Sequence, residues 1–362
     1  MAMAPDHMAE LSGVVPPVRD RLSRARALHW GLALVLLGCC FLSLQIGAAD
    51  VSLTALLGKI ARGEALGAME RIVLLEIRLP RLAMGAMVGA ALAVSGAVMQ
   101  GLFRNPLADP GIVGVASGAG LGAILAIVLG AMLPGWFLAL AGNQLVPWAA
   151  FVGGWGTTLL LYRVSTRGGR TLVATMLLAG IALGALAGAL SGILVYMADD
   201  QQLRDLTFWG LGSLAGASWA KVLAAGPLIA VALCVAMFLG RALNGLALGE
   251  ATAHHIGIDV QRMKTVAILA VACATGAAVA VSGGIGFIGI VVPHLLRLAS
   301  GPDHRTLLPN AALLGAALLI LADVIARTII APGELPIGIV TAVLGAPVFL
   351  WILLRRRGFV EV

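Results

Sequence analysis

Charge is what this sequence of 362 residues has least of: Asp, Glu, Lys and Arg together make up 11% of it, where a soluble domain carries about 25%. Lysine is nearly absent, with only Lys59, Lys221 and Lys264 beside the arginines. So little charge excludes a solvated, disordered chain. Cysteine is also scarce, and Cys39, Cys40, Cys234 and Cys273 all lie inside apolar runs. That placement excludes a disulfide scaffold or a cysteine metal cluster and suits small buried residues. Catalytic signatures are missing too. No G-x-x-x-x-G-K-[ST] phosphate loop, H-E-x-x-H zinc pair or G-x-S-x-G elbow occurs, so the chain has no nucleotide-hydrolysing, zinc-protease or esterase motif of its own. Hydrophobic residues fill the space instead, at 60%. A globule in water must present a polar surface and has no room for so many. Lipid is the solvent that accommodates them.

A spanning helix takes about 20 apolar residues. Ten runs qualify: 30–49, 82–102, 111–129, 147–161, 172–197, 219–239, 266–281, 285–298, 307–328 and 337–354. The first is longer than the apolar part of a cleaved signal and reads as a span. The eighth is short and holds Gly283, Gly284, Gly286 and Gly289. The net charge of +7 sits at the ends of these runs, so it fits the positive-inside rule and not a nucleic-acid surface. With the N-terminus inside, the opposite side holds only Lys59, Arg62, Arg71, Arg78, Arg81, Arg204, Lys221 and Arg327, and the inner side twice as many basic residues. Both termini are then cytoplasmic. The expected fold class is all-α integral membrane with about ten helices, divided into an N-terminal segment 1–28 and one transmembrane domain 29–362.

Three connecting segments are more than turns. In residues 50–79, Leu53, Leu56, Leu57 and Ile60 follow Ser52 at helical spacing and predict a short N-capped helix on the outer surface. Residues 199–218 mix acids with Phe208 and Trp209, an interfacial composition. Residues 240–265 form the longest inner loop, with a helical stretch that stops at Gly257. Gly180, Gly184, Gly188 and Gly192 repeat every fourth position. They make a smooth stripe suited to close helix packing, or to a pathway wall. His254 and His255 are adjacent and point apart on a helix, a poor metal pair. Met84, Met87 and Met99 read as apolar filler. Asp323 and Arg327 are four apart and can pair on one face. Arg78 and Arg81 flank the start of the second run, where snorkelling and a cationic outer rim are both open readings.

From Arg78 to Gly120 the run RLPRLAMGAMVGAALAVSGAVMQGLFRNPLADPGIVGVASGAG resembles the FecCD family of ABC-importer permeases, which serve vitamin B12, ferric siderophores and heme. Three more blocks resemble the family in the same order: LALGEATAHHIGIDV at 246–260, GGIGFIGIVVPHLLRLASGPDHRTLLP at 283–309, and LADVIARTIIAPGELPIGIVTAVLGAPVFLW at 321–351. The likeness runs through nearly all of the chain after residue 28. It implies a type II ABC-importer permease fold in the bacterial inner membrane, with no enzymatic activity of its own.

The resemblance implies roles for particular residues. Arg78, Arg81 and Arg327 would meet acids of a periplasmic binding protein. Gly249, Glu250, Ala253, His254, Ile256 and Gly257 would contact a separate ATPase subunit that binds ATP-Mg. Asn105-Pro106-Leu107-Ala108-Asp109-Pro110 would form the rigid turn after the second helix. Arg170, Thr171 and Thr175, before the glycine-striped run, stand at an expected cytoplasmic gate. Phe208-Trp209-Gly210, the stretch Gly212 to Ala217, and Gly301-Pro302-Asp303-His304-Arg305 resemble the heme permeases most. Heme is then the expected cargo, with ferric siderophore or vitamin B12 as alternatives and no permanently bound cofactor. The expected assembly is two copies of this chain, two ATPase subunits and a periplasmic heme-binding protein. An intramembrane enzyme lacks its motifs here, and a passive channel has no need of the coupling segment.

Overall fold

The computed structural model describes residues 18–47, 51–167 and 170–355. Residues 1–17, 48–50, 168–169 and 356–362, some of which contribute to the net charge, lie outside the described residues. The helices, in order, are α1 (Val18–Gln45), α2 (Leu53–Ala61) and α3 (Ala68–Phe103), the last of which passes through a π-helical stretch at Ile72–Arg78. Then come α4 (Val115–Leu129), α5 (Gly135–Ala141), α6 (Leu145–Ser165), α7 (Val173–Met197), α8 (Asp200–Leu211), α9 (Trp219–Phe238), α10 (Gly240–Ala247) and α11 (Glu250–His255). The chain continues with α12 (Val260–Ser282), α13 (Ile288–Ser300), α14 (His304–Thr328) and α15 (Ile337–Arg355). Two-residue strands β1 (Thr166–Arg167) and β2 (Arg170–Thr171) pair antiparallel between α6 and α7.

Among the described residues, 8 helices are long and apolar enough to cross a membrane. Two shorter apolar helices, Ile288–Ser300 and Ile337–Trp351, bring the set to the ten expected. Burial sorts them. The apolar windows of α3 and α12 are 72% and 78% buried, against 17% for α1 and for α7. The first two are the centre of the bundle, and the last two are peripheral. α3 packs on α14, α13 and α12; α4 packs on α6 and α7; α9 packs on α12. Small side chains are frequent in the core, such as Ala91, Ala93 and Ala97 on α3 and Ala267, Ala274 and Ala278 on α12, among larger ones such as Met84, Leu243 and Ile268. Without water to drive association, close approach of backbones is what holds membrane helices together. A Cβ at Gly96 would run into the Gly289 carbonyl, and one at Gly89 into the Gly315 carbonyl. These contacts fix α3 against α13 and α14.

The segments between spans differ from expectation in two places. The second span begins at Ala68, not Leu82, because Ala68–Arg78 is already helical. Residues 240–265 are two short helices and the first turns of α12, not an open loop. The amphipathic helix after Ser52 forms as predicted, and the Ser52 hydroxyl accepts from the Ala55 N–H. Asp109 lies much deeper than the end of α3: a Cβ at Gly289 would touch both its carboxylate and the Leu92 carbonyl, each at 3.2 Å. Residues 104–114 therefore fold back alongside the middle of α3.

Candidate functional site

Two groups of polar residues lie at opposite ends of the bundle. At the end where α3 begins and α14 finishes, Arg78, Arg81 and Arg327 are 4%, 7% and 8% exposed. The expected cationic rim is thus not on the surface. The guanidinium of Arg81 donates through Nε to both oxygens of Asp323 (2.9 and 3.0 Å) and through Nη2 to Oδ1 (2.8 Å). It also donates to Glu334 from Nη1 and Nη2, at 2.8 and 3.0 Å. Arg327 lies 3.6 Å from Asp323, confirming the pair expected four residues apart on α14, and donates to the Ser43 carbonyl and hydroxyl at 2.7 and 3.0 Å. Arg78 donates to the Leu44 carbonyl and, at 2.7 Å, to the Val51 carbonyl. The physical reason for the burial is charge pairing. Buried ions persist when partners replace water, and Asp323 and Glu334 supply them. Glu334, whose side chain is 38% exposed, is the only one of these acids that reaches solvent.

At the other end, α11 stands on the surface. Glu250, His254, His255, Ile256 and Gly257 are exposed, and Ala253 is buried against the bundle. Gly249 and Gly257 bracket the helix with φ of +108° and +86°, values that an L side chain adopts only under strain. Beside it, Glu250, His254, Ile258 and Gln261 line an open cavity of about 830 Å³. Lys264, one turn into α12, donates to Glu250 at 2.8 Å and to the Thr171 carbonyl at 3.0 Å. Thr171 is buried and Thr175 half-buried; Arg170 holds its place in β2. At this same end Asn244 on α10 donates to Asp303 (2.6 Å) and accepts from the His304 N–H (2.9 Å). Asp303 caps α14 by accepting from the Arg305 N–H. The Arg305 guanidinium, with Asn244 adding to it, draws the Asp303 carboxyl down from 3.8 to about 2.

The glycine stripe is on α7. Gly180 is buried, while a Cβ at Gly188 or Gly192 would meet nothing within 4 Å. The Gly188–Gly192 part of the stripe therefore meets no packing partner among the described residues. Deeper in, Asp109, Gly210, Thr275, Gly284 and Gly286 line a cavity of about 350 Å³. The Thr275 hydroxyl is buried without a hydrogen-bond partner among the described residues. His29 Nδ1 lies 2.8 Å from Asn310 Oδ1, and His304 Nδ1 lies 2.9 Å from Asn244 Oδ1. No local pattern signals the Lys264 bridge, Glu334 as partner of Arg81, or the joining of Asn244 to Asp303 and His304. The partners are tens to hundreds of positions apart.

The comparisons fit this arrangement. The profile of the FecCD transport family matches residues 34–355. The chain is 50% identical over 283 residues to the hemin transport system permease protein HmuU of Yersinia pestis, covering 78% of this chain and 83% of that one. It is 42% identical over 340 residues to the vitamin B12 import system permease protein BtuC of Klebsiella pneumoniae, covering 93% and 97%. A solved structure described as an inward-facing conformation of a metal-chelate type ABC transporter superposes with a TM-score of 0.79 at 32% identity, over 91% of this chain and 99% of the other.

Proposed function

Since this chain belongs to the FecCD transport family, we propose that it is the membrane-spanning subunit of an ATP-driven importer carrying heme from periplasm to cytoplasm by alternating access. The observation that carries the cargo is the 50% identity to the hemin permease. The excess of basic residues on one side supports an orientation with α11 toward the cytoplasm and the arginine cluster toward the periplasm. In that orientation the membrane is the bacterial inner membrane. Two copies pair about a two-fold axis, and the open Gly188–Gly192 face of α7 is suited to the pathway or to the second copy. Two ATPase subunits, which bind ATP-Mg, seat on α11 through Gly249, Glu250, His254, Ile256 and Gly257; Ala253, expected among these contacts, is buried and faces the bundle instead. The segment Arg170, Thr171 and Thr175 gates the inner mouth. Movement of the helices around the central path then delivers cargo inward.

Docking of a periplasmic heme-binding protein takes a form adjusted to the burial of the arginines. Arg78, Arg81 and Arg327 attract acids of the partner through their field. Direct contact with Arg81 requires the half-exposed Glu334 to yield its place to an acid of the binding protein. The second reading is the same machine moving vitamin B12, and the 42% identity over 93% of the chain is what favours it; a ferric siderophore is the third cargo of this class. Purified complex, supplied in turn with binding protein loaded with heme, ferric siderophore or cobalamin, separates them by stimulated ATP hydrolysis. Stimulation by heme above the other two supports the proposal, and stimulation by cobalamin alone replaces it with the second reading.

A further inference from the structure

We propose that Lys264 is a positioning residue that ties the coupling helix α11 to the β1–β2 hairpin, so that movement of α11 reaches the segment leading into α7. The inference rests on the importer reading given above. In the sequence Lys264 is one more basic residue on the inner side, where a solvated lysine would contribute only to orientation. Instead it is 2% exposed. A lysine is rarely buried so fully unless its ammonium is paired.

Two of its partners are in different elements. Nζ donates to Glu250 on α11 at 2.8 Å and to the Thr171 carbonyl on β2 at 3.0 Å. Three residues earlier, on the same face of α12, Gln261 accepts from the Thr171 N–H at 2.8 Å. The Thr171 hydroxyl lies 2.9 Å from the Thr166 hydroxyl across the hairpin. Every polar group of Thr171 is therefore engaged, two of them by side chains of α12. The hairpin cannot slide along α12 without leaving a buried carbonyl and N–H unpaired. On the far side of the ammonium, Glu250 is 44% exposed and stands at the rim of the 830 Å³ cavity beside α11. It can be displaced by a partner while Lys264 stays anchored to Thr171. A flexible stem carrying a point charge with three rotatable donors suits such a joint. Removing the ammonium detaches α11 from the hairpin and leaves both in place.

The test uses the assembled complex with its ATPase in proteoliposomes, with heme as cargo and a spin label at exposed Leu172 (as Leu172→Cys) in each copy. In wild type, ATP changes the distance between the two labels. In Lys264→Met, ATP hydrolysis stays within about twofold, heme taken up per ATP falls about tenfold, and the ATP-driven distance change is lost. A residue that only supports the fold would lower yield and hydrolysis together and leave the distance change in the surviving complex. Should Lys264→Met not assemble, Lys264→Gln carries the same two readouts, since it removes the ammonium that pairs with Glu250 while keeping a polar group at the buried position. Wild-type uptake per ATP with an intact distance change, in Lys264→Met or in this replacement, overturns the inference. Absence of ATP-driven uptake in wild type overturns the importer reading itself, and is told apart by occurring without any substitution.

Discussion

Substituting Asp323 by Asn removes the buried acid that faces Arg81 and Arg327. Asp323 receives three hydrogen bonds from Arg81 at 2.8–3.0 Å and faces Arg327 at 3.6 Å. Its loss leaves Arg81 with Glu334 as sole counter-ion and Arg327 with the Ser43 oxygens. Breaking a buried pair by removing one partner costs about 3–5 kcal/mol, and Asn, which still accepts one hydrogen bond, belongs at the lower end. Glu334→Gln is the control. Its carboxylate also binds Arg81 twice, but it is partly solvated, and pairs of that kind contribute about 1 kcal/mol or less. The two variants should therefore differ by about 2 kcal/mol or more. Equilibrium unfolding of the purified chain in mixed micelles, titrated with denaturing detergent and followed by tryptophan fluorescence, measures both. Equal destabilisation, or a larger effect of Glu334→Gln, would refute the assignment of Asp323 as the principal counter-ion.

Other outcomes are equally specific. Gly96→Ala puts a methyl group into the Gly289 carbonyl and should cost about 1–3 kcal/mol by overpacking, whereas Gly188→Ala meets open space and should leave the folded yield unchanged; thermal midpoints of the solubilised chain compare them. Asp303→Ala removes a helix cap and should cost about 1 kcal/mol at neutral pH. Because the folded carboxyl titrates at about 2 against an ordinary 3.8, its contribution is complete above the higher value and is lost as pH falls through the lower, so wild type and variant converge near pH 2. Gly249→Ala and Gly257→Ala must adopt a φ that costs about 1–2 kcal/mol, which should distort α11 and lower the amount of ATPase co-purifying with the permease.

Much of the fold was legible because lipid imposes a local rule. A span is a run of about 20 apolar residues, so the ten segments could be counted directly. The same rule explains the errors. It marks where hydrocarbon begins, not where a helix begins, and so it missed the helical turns of Ala68–Arg78 that carry Glu70 and Arg71. The Ser52 cap and the α11 boundaries depend on neighbouring residues and were readable. The arginines were not. A local pattern put Arg81 at a membrane border, but its burial depends on Asp323 and Glu334, more than 240 positions away. Lys264 is the same case, solvated by pattern and buried in fact. The glycine stripe shows the converse. Its spacing suited a packing face or a pathway wall, and the Gly188–Gly192 half meets no neighbour among the described residues.

If the proposed function is right, heme crosses a membrane on this chain only when an ATPase drives it. Proteoliposomes holding the permease with its ATPase, given heme-loaded binding protein outside, test it directly by the heme recovered inside with and without ATP. The expected result is accumulation that requires ATP, both partners and the intact α11 segment. Heme entering at the same rate without ATP, or no heme entering while cobalamin accumulates, would contradict it.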